Sequence, residues 1–77
     1  MSATTLDQLQ SNQKACISNV NGTDGVTVRL AEMGLLAGEA IERLGQAPLG
    51  DPIQFYVRGG RLALRASEAR RIDIELR

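Results

Sequence analysis

Histidine and tryptophan are absent from this 77-residue chain, and it carries one cysteine, one phenylalanine and one tyrosine. Each scarcity excludes something. With Cys16 alone, no internal disulfide can form, and without histidine the usual Cys/His zinc sites cannot be assembled. A serine or cysteine nucleophile has no imidazole to activate it. Two aromatic residues cannot line the groove with which aromatic-rich modules hold proline-rich peptides, nor a platform for stacked bases. An excess of either charge is also missing: nine basic residues balance nine acidic ones. A nucleic-acid module normally carries a basic surplus to displace phosphate counterions, so neutrality speaks against that class and against adhesion to anionic lipid. It also leaves little repulsion between copies, which permits weak self-association. No apolar run approaches the roughly 20 residues of a membrane span, and Met1–Gln10 lacks the basic and apolar regions of a secretion signal. The expectation is a single small cytoplasmic domain that inserts in no membrane.

A chain this short buries only about 60% of its unfolded surface, and its core supplies about 3–5 kcal/mol. It must stand on packing alone or gain stability from a partner, and the packing pattern is legible. Residues 1–4 read as a loose, flexible end, and 5–77 as the domain. Leu6 and Leu9 share helical spacing and pin one short turn. Lys14–Val20 alternates and reads as a strand. Asn21-Gly22 marks a turn, and Thr23 or Asp24 caps a helix of about ten residues. In that helix Val26, Leu30 and Met33 face inward, Arg29 and Glu32 face outward, and Gly34 ends it. Ile41 opens a second strand running to about Gly45. The proline- and glycine-rich stretch Ala47–Pro52 is a connection, because proline cannot donate to a central ladder. Ile53, Phe55 and Val57 alternate, Gly59-Gly60 signals a hairpin, and Leu62 and Leu64 return. Ser67 caps a turn over Glu68–Arg71, and Ile72, Ile74 and Leu76 form a last strand. The fold class is all-β with one short helix. Five short strands around one core suggest a small SH3-like barrel, with an OB-like barrel as the alternative, since closure removes exposed edges.

Few residues invite chemistry. None of the carboxylates pairs locally as an acid–base couple would, so no catalytic residue is assigned. Cys16 reads as a small core residue and Met33 as part of the helix's inner face. No metal ligands are assigned and no cofactor is called for, beyond a weak divalent-cation site from carboxylate oxygens. Gly59-Gly60 lacks the lysine and the strand–loop–helix context of a phosphate loop. Arg58, Arg61 and Arg65 surround the hairpin as a solvated face able to meet an acidic partner. Leu35 and Leu36 follow the helix end, where the chain must turn and one of them is expected to project outward; an exposed leucine pair beside a helix would serve docking. Ala47, Pro48, Leu49, Gly50, Asp51 and Pro52 form a stiff loop, suited to contact because its freedom is already restricted.

One pattern goes further. Arg29-Leu30-Ala31-Glu32-Met33-Gly34-Leu35 is followed by Gly38 and Ile41. Ala47-Pro48-Leu49-Gly50-Asp51-Pro52-Ile53 comes next, then Leu62-Ala63-Leu64-Arg65 with Glu68-Ala69 and Ile72. Over about residues 5–76 this resembles the FeoA family, small cytosolic proteins of bacterial ferrous iron uptake, and the related C-terminal domains of iron- and manganese-responsive repressors. The resemblance implies an SH3-like barrel with a short helix after its first strand. It also implies an accessory role for FeoB, a membrane transporter with a cytosolic G domain. The contacts are then expected at Leu35, Leu36 and Ala47–Pro52. The alternative it implies is a metal-responsive sensing module that binds a divalent transition metal, as in the repressors. A chain opening at Met1 with no DNA-binding domain ahead of it disfavours that role. Two departures from the family pattern stand out. Ser11-Asn12 replaces a usual Pro-Gly, with asparagine able to keep the left-handed turn, and Arg43 occupies a position that is commonly apolar.

Overall fold

The computed structural model describes residues 3–45 and 50–77. Six strands form one antiparallel sheet in the order β1-β6-β2-β3-β4-β5. They are β1 (Ala3–Thr5), β2 (Lys14–Val20), β3 (Ala40–Arg43), β4 (Ile53–Val57), β5 (Gly60–Leu64) and β6 (Ile72–Leu76). A 3-10 turn, Leu6–Gln8, follows β1, helix α1 (Gly25–Glu32) separates β2 from β3, and α2 (Ala66–Ala69) separates β5 from β6.

Alternation explains which face each strand buries. Ala15 and Ile17 of β2, Ile41 of β3, Ile53, Phe55 and Val57 of β4, Leu64 of β5, and Ile72 and Ile74 of β6 all point into one cluster. Leu6, Leu9, Leu30, Leu35 and Ala69 from the turns and helices close it. Among the described residues no polar or charged residue is buried. Phe55 is completely enclosed and is the cluster's only aromatic member. Ser18 is an extra residue where β2 pairs with β6, because the register shifts between Ile17 and Asn19. Such a bulge bends a strand and strengthens its twist, which helps a sheet wrap a small core.

Helix α1 begins where Asp24 Oδ1 accepts from the Thr27 N–H at 3.3 Å, the usual role of an N-cap carboxylate. It ends in Gly34, whose φ of +91° is a left-handed conformation that side chains resist. The Leu35 N–H donates to the Leu30 carbonyl at 3.1 Å and the Gly34 N–H to Ala31 at 3.0 Å. That bond pair is a Schellman motif, in which the residue after the glycine packs on the last helical turn. Asn12 adopts φ +65°, so the turn before β2 is kept by asparagine as expected.

Several sequence expectations need correction. Ala3 and Thr4 belong to a strand rather than a loose end, since β6 offers its free edge and Thr4 pairs with Ile74. The strands among the described residues therefore number six rather than five, and β3 stops at Arg43 rather than Gly45. The hairpin turn is Arg58-Gly59, one residue earlier than Gly59-Gly60, because Val57 pairs with Gly60. Positive φ at both turn residues, +53° and +80°, gives the type I′ turn that matches strand twist. Ser67 does not cap α2. Glu68 Oε1 accepts from the Arg65 N–H at 2.9 Å, and Asp51 Oδ1 accepts from the Ala66 N–H at 2.7 Å. Cys16 is half-buried rather than core, because it alternates with Ala15 and Ile17, and those two occupy the inner face of β2.

Candidate partner-docking surface

The Schellman motif divides the leucine pair. Leu35 sits at its apolar position against Leu30, and both are fully buried. Leu36, one residue on, is 47% exposed. Expected docking residue Leu35 is therefore a core residue, and Leu36 alone presents surface. Met33 packs against the core, as its spacing predicts. Val28 is also exposed, on the outer side of α1.

Of the connecting loop, Ala47, Pro48 and Leu49 lie outside the described residues. Gly50, Asp51 and Pro52 are exposed. Gly50 has φ +79° and the Asp51–Pro52 peptide is cis. Asp51 is held by its bond to the start of α2, so this end of the loop is anchored beside β5. The segment bearing Leu36 is anchored at the other end of the sheet. Glu39 accepts from Arg58 at 3.1 Å, and Arg58 stands in the hairpin at the far end of β4. The five residues of β4 separate the two groups by roughly 15 Å at about 3.3 Å per residue. The structure does not join Leu36 and Gly50–Pro52 into one patch; a partner touching both must span the length of β4.

Between those ends lies the outer face of the sheet. Lys14, Glu42, Tyr56 and Arg61 stand opposite one another in successive strands. Tyr56 is 45% exposed and borders a shallow groove of about 260 Å³ with Lys14, Glu42, Arg58 and Arg77. Arg43, the departure from the family pattern, turns to the N-terminal segment instead. Its Nη1 donates to the Leu9 carbonyl at 2.6 Å, and its backbone exchanges bonds with Asn12 and Gln13. The cation thus braces the turn before β2.

Several charges on this molecule are structural. Arg71 donates to Asp24 at 2.6 Å, tying the start of α1 to the turn before β6. That bond, with the Thr27 N–H, holds the Asp24 carboxyl down at about 2 and pushes the Arg71 guanidinium up. Arg29 pairs with Glu68, and Arg70 with Asp7. Among the described residues no cluster of three or more Cys, Asp or Glu is placed to hold a metal ion. No helix among them is long and apolar enough to cross a membrane.

The comparisons with known proteins agree with this architecture. The family model described as FeoA domain matches residues 4–76. A FeoA-like protein from Clostridium acetobutylicum is 32% identical and superposes with a TM-score of 0.90, covering 99% of this chain and 88% of that one. FeoA of Stenotrophomonas maltophilia, solved with zinc and described as an SH3 domain protein, is 32% identical with a TM-score of 0.81, over 92% of this chain and 88% of the other. A manganese-dependent transcriptional repressor, 14% identical with a TM-score of 0.89, shares the fold over 38% of its length. A curated relative, the Fe(2+) transport protein A/Fe(2+) transporter FeoB fusion protein of Porphyromonas gingivalis, is 32% identical over 71 residues. The match covers 92% of this chain but only 8% of that protein. The chain belongs to the FeoA family and shares its SH3-like fold.

Proposed function

We propose that this domain docks to the cytosolic part of a FeoB-type ferrous iron transporter and regulates it without chemistry of its own. The observation that carries this reading is the fusion relative, in which a region similar to this chain is covalently joined to a FeoB transporter. Fusion raises the effective concentration of two domains for each other, and is useful where they must meet. The surface supports the same reading: Leu36 and the loop Ala47–Pro52 are the contacts, with Asp51 fixed by α2 so that Gly50 and Pro52 are presented stiffly. Leu35 contributes by supporting the segment from beneath. Immobilised transporter cytosolic part should retain the chain, and Leu36→Asp should release it. Failure of the parent chain to bind, with iron uptake unchanged when it is deleted, would overturn the proposal.

A further inference from the structure

Strand β5 ends the sheet, with β4 on one side and no strand on the other among the described residues. The two-residue turn fixes which backbone groups face outward. In a type I′ hairpin the pair flanking the turn, here Val57 and Gly60, is hydrogen-bonded, and such pairs recur at every second residue. Gly60, Leu62 and Leu64 therefore bond to β4, while the N–H and C=O groups of Arg61 and Ala63 point away from the sheet. Arg61 and Ala63 are exposed. Arg65 continues the row in an extended conformation, φ −69° and ψ 150°, so Arg61, Ala63 and Arg65 share the outer side.

These two arginines differ from the four that hold carboxylates. All nine acidic side chains lie within the described residues. Arg29, Arg58, Arg70 and Arg71 each hold one of them, whereas Arg61 and Arg65 make no ion pair among the described residues. Beside Ala63 and Arg65 opens a depression of about 510 Å³, bordered also by Pro52, Ser67 and Arg29. Its two carboxylates, Asp51 and Glu68, are both engaged by backbone N–H groups of α2's first turn.

We infer that the outward edge of β5 accepts an extended acidic segment of a partner protein as an added strand. Main-chain bonds at Arg61 and Ala63 supply the attachment, and strand addition of this kind draws affinity from the backbone and specificity from alternate side chains. Acidic residues four apart in the segment meet Arg61 and Arg65, and the residue between them lies over Ala63. The inference rests on the reading of this domain as a docking module and names a further element of its surface.

The test uses the full chain with amide NMR and a short blocked peptide alternating glutamate with valine. The Arg61 and Ala63 amides should shift saturably and gain exchange protection, and a lysine–valine peptide should cause neither. Ala63→Pro removes an outward N–H without touching the β4 ladder, a position where edge strands tolerate proline. It should weaken binding about tenfold, as expected for stranding one backbone acceptor. If that variant fails to fold, the exposed double change R61E with R65E carries the test and should abolish binding. No saturable shift, or a folded Ala63→Pro chain that binds as tightly as the parent, overturns the inference. A chain that ignores the peptide yet binds the transporter's cytosolic part overturns the edge and leaves the docking reading standing. The reverse pattern upholds the edge and sinks that reading.

Discussion

Replacing Leu35 and Leu36 by alanine, one at a time, should give opposite results although the two are neighbours of the same type. Leu35 is fully buried against Leu30. Leucine-to-alanine changes in such sites cost about 2–5 kcal/mol, from lost transfer energy plus the cavity left behind. The whole core of a domain this size supplies about 3–5 kcal/mol. Leu35→Ala therefore consumes most of the folding free energy, and Leu35→Ile is the variant that keeps a measurable folded state. Leu36 is 47% exposed, so its loss should stay within about 0.5 kcal/mol. At about 4–8 °C per kcal/mol for small domains, Leu35→Ala lowers Tm by at least about 8 °C and Leu36→Ala by less than about 4 °C. Urea unfolding followed by circular dichroism measures both midpoints, and binding to the transporter's cytosolic part is read on the same samples. Leu36→Ala should lose affinity while folded. Equal destabilisation by the two changes, or a Leu35→Ala chain as stable as the parent, would refute the division made by the Schellman motif.

Three further outcomes follow from particular residues. The Asp24 carboxyl is held at about 2 against an ordinary value of 3.8; its folded pKa is depressed, so its stabilisation is complete above pH about 4 and is lost as pH falls through about 2. Asp24→Asn should accordingly flatten the acid limb of a stability-versus-pH curve in that window. Asn12 sits at φ +65°, so Asn12→Ala should cost about 1 kcal/mol by denaturant unfolding while Asn12→Gly stays within about 0.5. Gly34→Ala should cost at least about 1 kcal/mol, because φ is +91° and the new Cβ would come within 2.6 Å of Arg58 Cδ; the same urea assay reads it.

Much of the fold can be read from the residues because burial on one face leaves a period. Lys14–Val20 matches β2 residue for residue, and Ile53, Phe55 and Val57 are all buried as their alternation requires. Asp24 and Gly34 punctuate α1 as their chemistry dictates. What escaped was set by pairing rather than pattern. Ala3–Thr5 has no apolar rhythm of its own and is a strand because β6 has an edge to fill. Gly59-Gly60 looked like the turn because glycine bears positive φ freely, yet the strand register places Arg58 there. At the candidate surface, Leu36 and the Gly50–Pro52 end of the loop are exposed as expected. Leu35 was misplaced, although its signal was in the sequence: an apolar residue directly after a helix-ending glycine is the position that packs inward. The edge arginines were visible as a basic cluster. That Arg61 and Arg65 form no ion pair among the described residues depends on where the chain sends Glu39, Glu68 and Asp51, which only the tertiary structure decides.

The most direct test of the docking account is a calorimetric titration of the parent chain into the isolated cytosolic part of a FeoB-type transporter. The account predicts saturable one-to-one binding that Leu36→Asp weakens at least about tenfold, or about 1.4 kcal/mol, without lowering the domain's unfolding midpoint. Absence of heat from a properly folded pair, or binding indifferent to Leu36 and to the Ala47–Pro52 loop alike, would contradict it.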